Sequence, residues 1–484
     1  MTVAPTRPRQ PQIDQGEIER RVRELEALIE EARRRARRRR RFVGAAILAA
    51  VAAVGAVVFH DGGGRATLAR SETNANPLDP GFGKNGFLVL DGLTSCSTGE
   101  GGCGIRGIGL ALQPDGAAVV AAGTLESNCR SRFALARVQA GKVDPSFGQA
   151  GRVVTGFGSS GAVANAVVVT PGGKIVVAGE HLPASPQNGP CPDHIHQGGG
   201  DGFALARYQP NGKLDKSFGG DGTVVTKLEG SGAFDLLLQP DGKIVAVGYG
   251  RSAVQLARYL DDGRLDHSFG EHGTMTSQPS PGAHQPGRPA LDQAGRIIVP
   301  LTPPYCKSCG TSVARYTSEG RLDRTFGRNG VTSLPLNGAV ATKATRRGIF
   351  VVGVQRPMDG IGGNHVAVVL LTSEGKLDSR FGRNGILLPR VPRTGVMYDV
   401  AIQKDGKVVV LTARPSYDQG GYSLTRLLPN GSRDRGFGAG GTVTVQLARG
   451  SSGRRVASLR DGKLMVASLV GTSYPTVTVT RHRR

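Results

Sequence analysis

The residue types that could hold a metal or move a proton gather in one short stretch. His181 is followed ten residues later by Cys191-Pro192-Asp193-His194-Ile195-His196. A His-x-His pair beside an Asp or a Cys has a spacing that suits a transition metal. Neutral imidazole also titrates where a general base is useful. His181, Asp193, His194 and His196 are therefore the candidate metal ligands, although a Gly- and Pro-rich loop carries such a cluster equally well as exposed polar sequence.

The second reactive group is six cysteines: Cys96, Cys103, Cys129, Cys191, Cys306 and Cys309. Outside a reducing compartment they can pair. The expected bridges are Cys96–Cys103 and Cys129–Cys191, the latter joining neighbouring repeat units. Cys306-Lys307-Ser308-Cys309 reads as a local staple or a redox pair. It has no surrounding βαβ pattern, and one CxxC without a second is a poor zinc site. The chain shows no nucleophile–base pair and no paired-carboxylate constellation, and it names no cofactor.

These residues sit on a repeat. The pattern Asp-x-x-Phe-Gly-x-x-Gly occurs seven times, with Asp79, Asp144, Asp215, Asp266, Asp323, Asp378 and Asp434 each three residues before Phe82, Phe147, Phe218, Phe269, Phe326, Phe381 and Phe437. Successive phenylalanines are 65, 71, 51, 57, 55 and 56 residues apart. A recurrence of this period signals an array or a propeller. Each motif is followed by a short β-rich run such as Thr223-Val224-Val225-Thr226 and then a second apolar run. A tight turn follows, for example Pro240-Asp241-Gly242-Lys243, and two more runs close the unit. Asp-Gly between apolar runs is a strong hairpin signal, because the turn needs positive φ. Four antiparallel strands make a propeller blade. The predicted fold is all-β, a seven-bladed β-propeller of four-stranded antiparallel blades, with a linear β-solenoid as the alternative.

The repeated residues read as structure. The phenylalanines are expected to wedge between blades. Arg137, Arg207, Arg258, Arg315 and Arg426 end the fourth run, and an Arg–Asp pair at each blade junction follows from their spacing to the motif aspartates. The fifth unit departs from the pattern, with Leu370 at the Arg position. If the ring closes, Arg481 should reach Asp79.

The motifs Leu214-Asp215-Lys216-Ser217-Phe218-Gly219, Gln239-Pro240-Asp241-Gly242-Lys243-Ile244 and Leu256-Ala257-Arg258-Tyr259 resemble the delta-60 family of β-propeller repeats. The resemblance covers about residues 77–484. It implies a propeller in a bacterial surface or secreted protein, and it implies no particular role.

The positioning elements before the repeat are of another kind. Of 484 residues, 73 are Gly and none is Trp, so the core must be built from Val, Ala, Leu and Ile with a few Phe. Net charge is +23, and residues 1–41 hold 13 Arg against 7 acidic residues. Phe42 to Phe59 is an uncharged apolar run of 18 residues, preceded by eight Arg among the nine residues from Arg33 to Arg41. At about 1.5 Å per residue it just spans a bilayer core, and the arginines keep the N-terminus inside. An uncleaved signal anchor is expected, because a 41-residue basic region exceeds a normal signal n-region; a cleaved signal peptide is the alternative. Ile18, Val22, Leu25, Ile29, Ala32 and Ala36 form a short a/d seam, which suits either a homodimeric coiled coil or an amphipathic helix on the membrane.

The expected organisation is a cytoplasmic Arg-rich helical segment at 1–41, a transmembrane helix at 42–59, a linker at 60–76 and the propeller at 77–484. That places a single-pass protein in the bacterial plasma membrane with its C-terminal domain extracytoplasmic. The basic surface suits an anionic partner. Nucleic acid is disfavoured, because topology already accounts for the arginine run.

Function on a repeat tends to sit where the repeat is broken. The first unit carries about ten extra residues and the second roughly fourteen, in loops that emerge on one face together with all six cysteines. This insertion face is the expected functional face, binding an extracytoplasmic protein or glycan. A lyase or hydrolase using the histidines of the second insertion is the enzymatic alternative. A sensor signalling through the N-terminal helix is a third.

Overall fold

A computed structural model describes residues 77–91, 93, 107–125, 131–183, 200–228, 230, 232–250, 253–279, 285–303, 310–355, 365–388, 397–413, 420–471 and 476–483. The helical segment, the anchor and the linker at 1–76 lie outside these residues, as do all six cysteines with Asp193, His194 and His196. Among the described residues no helix is long and apolar enough to cross a membrane.

The described chain forms seven antiparallel sheets, six of them built on strands that are successive in the chain. In blade 2 these are Gly161–Val169, Ile175–Leu182, Gly202–Tyr208 and Thr223–Lys227, from the axis outward. In blade 3 they are Gly232–Leu238, Ile244–Gly250, Ala253–Tyr259 and Thr274–Ser277. First strands of successive blades pack on one another and line the axis. The two middle strands are buried along their whole length, as in Ile175–Leu182 and Gly202–Tyr208. Both faces of a blade are covered by neighbours, so these strands read as continuous runs of Ala, Val, Leu and Gly with no alternation. The seven hydrophobic cores lie between blades, not within them. One of them joins Ala178, Phe203 and Leu205 of blade 2 to Ala233, Ala246 and Tyr259 of blade 3.

The four-strand content and the count of seven agree with the sequence reading, but the boundaries of the unit shift by one strand. The run after each Asp-x-x-Phe-Gly motif pairs with the strand before the motif: Thr223 stands opposite Ala206, and Thr226 opposite Phe203. The motif is thus the turn between the third and outermost strands of one blade. The run that follows it closes that blade and does not open the next. A periodic sequence has no intrinsic start, and only pairing sets its phase.

The shift decides how the ring closes. Phe87–Leu90, the first described strand, pairs with Thr476–His482 at the other end of the chain, so blade 7 takes its outermost strand from the N-terminal side and three strands from the C-terminal side. The seam reproduces the turn it replaces. The Asp79 N–H donates to the Arg481 carbonyl at 2.7 Å, as Asp215 does to Arg207 at 2.9 Å.

Each motif builds the same junction. Phe82, Phe147, Phe218, Phe269, Phe326, Phe381 and Phe437 are all buried. Phe147 seats against Gly212 in the turn of the next blade. That residue has φ +87°, and a Cβ there would lie 2.9 Å from the ring, so both the turn and the close approach require glycine. The Arg207 guanidinium stacks 4.8 Å from the Phe218 centroid, pairs with Asp215 at 2.8 Å and donates to the Asp261 carbonyl of the next blade. Arg137–Asp144, Arg258–Asp266, Arg315–Asp323 and Arg426–Asp434 pair likewise. Arg481 reaches Asp79 at 2.9 Å, as expected of a closed ring. Lysines of the first hairpin turn join in: Lys174 pairs with Asp215, Lys243 with Asp266 and Lys463 with Asp79. Burial opposes ionisation of Asp215, but Ser217, Lys174 and Arg207 outweigh it and hold the carboxyl far below its ordinary value.

Blade 5, with Leu370 in the Arg position, is repaired from elsewhere. Arg380 forks onto Asp378, while Arg347 from the first hairpin lies 5.8 Å from the Phe381 centroid and donates to the Pro429 carbonyl of blade 6 at 2.5 Å.

Arg481→Ala should cost on the order of 2 kcal/mol, since the pair is only partly exposed, and lower the unfolding midpoint in urea; an unchanged midpoint would remove the Arg481–Asp79 contact from the closure. The seam also contains His482, fully buried with Nε2 at 2.8 Å from the Tyr422 hydroxyl. Burial pushes its pKa from 6.5 down to about 3. The folded state holds this imidazole neutral, so its contribution is complete above pH 6.5 and is lost as pH falls through that window toward 3. The slope reaches about 1.4 kcal/mol per pH unit. His482→Gln should flatten the fall in stability between pH 6 and 4 relative to wild type, measured by urea titrations across that range.

Candidate functional site

Among the described residues, two places in the ring bring chemically capable side chains together: the axis and the insertion-face end of blade 2.

At the axis, five of the innermost strands carry a β-bulge at the same level, at Ala164/Ala166, Ala233/Asp235, Ala339/Ala341, Met397/Asp399 and Gly453/Arg455. A bulge turns its neighbour's side chain off the ladder. Just past the bulges stand Asp235, Asp399 and Arg455, with Ala166 and Ala341 at equivalent positions. The innermost strand of blade 4 is interrupted: Gln285–Pro286 and Ala290–Leu291 both pair with Ile297–Thr302. Between them the Arg288 N–H donates to the Val340 carbonyl of blade 5 at 2.7 Å. Pro286 and Pro289 have no N–H for a ladder, which releases this segment toward the axis. Arg288 then pairs with Asp235 of blade 3 at 3.2 Å and Asp399 of blade 6 at 3.1 Å.

The links continue around the axis. The Val456 N–H of blade 7 donates to Asp399 at 2.9 Å. Arg455 of blade 7 donates to the Asn165 carbonyl of blade 2 at 3.1 Å, and the Asn165 amide donates to the Ala233 carbonyl of blade 3 at 2.8 Å. Blades 2, 3, 4, 6 and 7 are thus joined in a closed polar belt. Burial pushes the Asp399 carboxyl above its ordinary range, against the pull of Arg288 and Lys343. The belt links five blades across the axis through Arg288, Asp235, Asp399, Arg455 and Asn165, an arrangement suited to holding blades in place.

At the insertion-face end of blade 2, His181, Gly202 and Lys227 lie side by side across three strands. His181 Nδ1 is 2.5 Å from Asp201 Oδ1, and Lys227 Nζ donates to Asp201 Oδ2 at 2.5 Å. Burial opposes ionisation of Asp201, but the bonds to Lys227 and His181 prevail and keep its carboxyl below the ordinary range. A carboxylate on Nδ1 fixes the imidazole and leaves Nε2 as the second ring nitrogen, although the His181 side chain is only 5% exposed. Glu180, on the other face of the same strand, accepts the Gly200 N–H at 2.8 Å. Of the predicted ligands, His181 is brought to Asp201 and Lys227; the others lie outside the described residues. Among the described residues no group of three His, Cys, Asp or Glu is arranged to hold a metal.

The sequence reading identified His181 and the junction arginines. It missed Arg288, Asp235, Asp399, Asn165 and Arg455. A signal was present in Gln285-Pro286-Gly287-Arg288-Pro289, since prolines in a run that should be a strand mark a break. The partners of that break lie on other blades and cannot be read from spacing.

The family described as "Domain of unknown function (DUF5122) beta-propeller" matches at residues 194–218, 239–269 and 403–437. No curated protein matches the sequence. Among solved structures, a glucose dehydrogenase is 15% identical, over 65% of this chain and 95% of that one, with a TM-score of 0.38. A polysaccharide lyase is 11% identical over 78% and 90%, with a TM-score of 0.40. Drosophila Plexin A in complex with Semaphorin 1b is 10% identical over 81% and 86%, with a TM-score of 0.38. Likenesses this distant transfer no activity.

Arg288→Ala should destabilise the ring by about 3 kcal/mol, because it leaves half-buried Asp235 and buried Asp399 without their cation. Adding Asp399→Asn should recover part of that loss. A double-mutant cycle read by urea unfolding checks both; additive losses would show that the two residues do not interact.

Proposed function

We propose that this chain is a membrane-anchored, extracytoplasmic β-propeller that binds a protein or glycan through its insertion face. The observation that carries the reading is the polar belt at the axis. Its contacts tie blades that are not sequence neighbours, which gives the ring the stiffness of a platform. What remains available for recognition is the surface of its faces. On the insertion face, Lys227 is 63% exposed at its side chain beside half-buried Asp201, a polar pair at the base of the longest insertion. The excess of positive charge over the chain favours an acidic protein surface or an anionic glycan. The apolar run at 42–59 and the arginines before it supply the anchor and its orientation.

A second reading is favoured by the His181–Asp201 contact alone. With Nδ1 occupied, Nε2 is the atom that would take a proton or a metal in a lyase or hydrolase.

A cell-envelope pull-down with the full-length chain separates the two. Wild type should retain an envelope protein or glycan that is lost on deleting residues 184–199 and weakened by Lys227→Glu. Retention by both variants would overturn the insertion-face reading. A stoichiometric metal in the purified protein that is lost in His181→Gln would favour the enzyme.

A further inference from the structure

Where one blade meets the next, the turn that follows the third strand serves as a strip of backbone acceptors. Pro210, Asp261, Ser318, Ser373 and Pro429 stand in that turn in blades 2 to 6, and the carbonyl of each accepts an arginine of the preceding blade. The carbonyls one residue on, at Asn211, Asp262, Glu319 and Glu374, accept the N–H of the motif glycines Gly148, Gly219, Gly270 and Gly327. Glutamines of the first hairpin add a third donor. Gln113 Nε2 reaches the Pro210 carbonyl at 3.3 Å, and Gln239 Nε2 the Ser318 carbonyl at 3.1 Å.

Among the described residues, blade 7 has no such turn, because its third strand, Thr476–His482, and its outermost strand, Phe87–Leu90, are brought together from distant parts of the chain. Blade 6 faces this place with donors left over. Arg426 bonds Asp434 through Nε at 2.9 Å and stacks 4.3 Å from the Phe437 centroid, and among the described residues its two terminal nitrogens have no acceptor. Gly436 stands where Ser217, Ser268 and Thr325 offer a hydroxyl oxygen to the corresponding guanidinium. Gln403 is buried, and its Nε2 donates at 2.8 Å to the Gly462 carbonyl alone. Its Oε1 has no partner, but neither has that of Gln113 at a filled junction. Phe437 is buried as its counterparts are. What distinguishes this junction is therefore a shortage of acceptors, with the packing intact.

A cleft of about 370 Å³ opens at this point, with Gln403 and Arg426 in its wall. Charge alone does not select its ligand: Lys404, Lys407, Arg426 and Arg460 stand against Asp405, Asp461 and, bound to Arg426, Asp434. The leftover donors do select it, because the filled junctions show what such donors take. We propose that this cleft binds a glycine-containing turn of another protein, seated as Ser318-Glu319-Gly320 is seated on blade 3. A backbone carbonyl of the partner lies between Arg426 and Gln403, and its glycine supplies the positive φ found at Gly320. The aspartates of the wall do not oppose this. Asp241, the counterpart of Asp405, belongs to the very hairpin whose Gln239 receives Ser318. The cleft is formed by the first hairpin turns of blades 6 and 7, on the side opposite the insertions, and does not depend on what the insertion face binds.

The chain has no tryptophan, and Lys404 is exposed with no ion-pair or hydrogen-bond partner among the described residues, so Lys404→Trp places a sole indole reporter at the cleft. In full-length protein held in dodecyl maltoside, energy transfer to a dansyl-labelled peptide of residues 317–323, Thr-Ser-Glu-Gly-Arg-Leu-Asp, should rise saturably. The same residues in scrambled order carry the same charge and should give far less transfer. Arg426→Lys keeps the charge but loses the fork, and should weaken binding by about tenfold, the size of one charge-assisted hydrogen bond. Gln403→Met should weaken it severalfold, and N-acetylglutamate at the peptide's concentration should not displace it. Absence of saturable transfer, equal transfer to the scrambled peptide, displacement by N-acetylglutamate, or indifference to both substitutions would each overturn the proposal. Should Arg426→Lys fail to melt cooperatively, Gln403→Met decides.

Discussion

The ring depends on a guanidinium held at the boundary between blades. In blade 4, Arg315 has the Asp323 carboxylate at 2.8 Å, the Phe326 ring at 4.6 Å and the Ser373 carbonyl of blade 5 as partners. Taking a cation out of water to this depth costs several kcal/mol unless its donors are satisfied. Here a carboxylate, an aromatic face and a carbonyl from the neighbour do so together. Only one of these partners belongs to the next blade, but it sets the distance between blades. The phenylalanine under the guanidinium seats on the neighbour's turn glycine, so polar and apolar parts of the junction agree on one spacing. Blade 5 shows what the junction requires. With Leu370 in the third strand, Arg347 brings a guanidinium to Phe381 and the next blade from another strand, and Arg380 takes over the carboxylate.

Seven such junctions must meet without a covalent bond between first and last. The chain places its seam within a blade, between Phe87–Leu90 and Thr476–His482, and not between two blades. Opening the ring therefore requires breaking a strand ladder as well as a junction. The seam carries the Arg–Asp–Phe contact at Arg481, Asp79 and Phe82 and adds Tyr422 with Thr480 and His482, all buried. Using an imidazole there makes the seam sensitive to acid at a higher pH than the junction carboxylates, since no counter-charge accompanies it into the interior.

Much of this was legible in the sequence, and the limits have physical causes. The motif phenylalanines, the turn glycines and the Arg–Asp spacing recur because every blade solves the same local problem, so seven copies disclose the solution. The phase of the repeat was not legible: Thr223-Val224-Val225-Thr226 is an equally good first or last strand until its partner is known. The axial belt was not legible for the opposite reason. Each of its members occurs once, and the contacts of Arg288 with Asp235 and Asp399 span 53 and 111 positions with no periodic echo. The insertion face was predicted from broken spacing, which marks where chain is added but not what it contacts; His181 acquired its partners Asp201 and Lys227 only through the ladder of blade 2.

The two faces follow from the same geometry. Antiparallel blades send the first hairpin turns and the Asp-x-x-Phe-Gly turns to one side and the remaining loops to the other. Junction arginines and glutamines reach across to turns of the next blade on the first side: Arg137 donates to the Pro210 carbonyl of blade 2, and Gln239 to the carbonyls of Gly295 and Ser318 in blade 4. Extra residues inserted among those turns would break contacts that set blade spacing. Extra residues on the other side do not interrupt those turns. The positions that tolerate growth are therefore determined by where the guanidinium network runs. The sequence between His181 and Asp201 enters and leaves the blade on the side opposite that network.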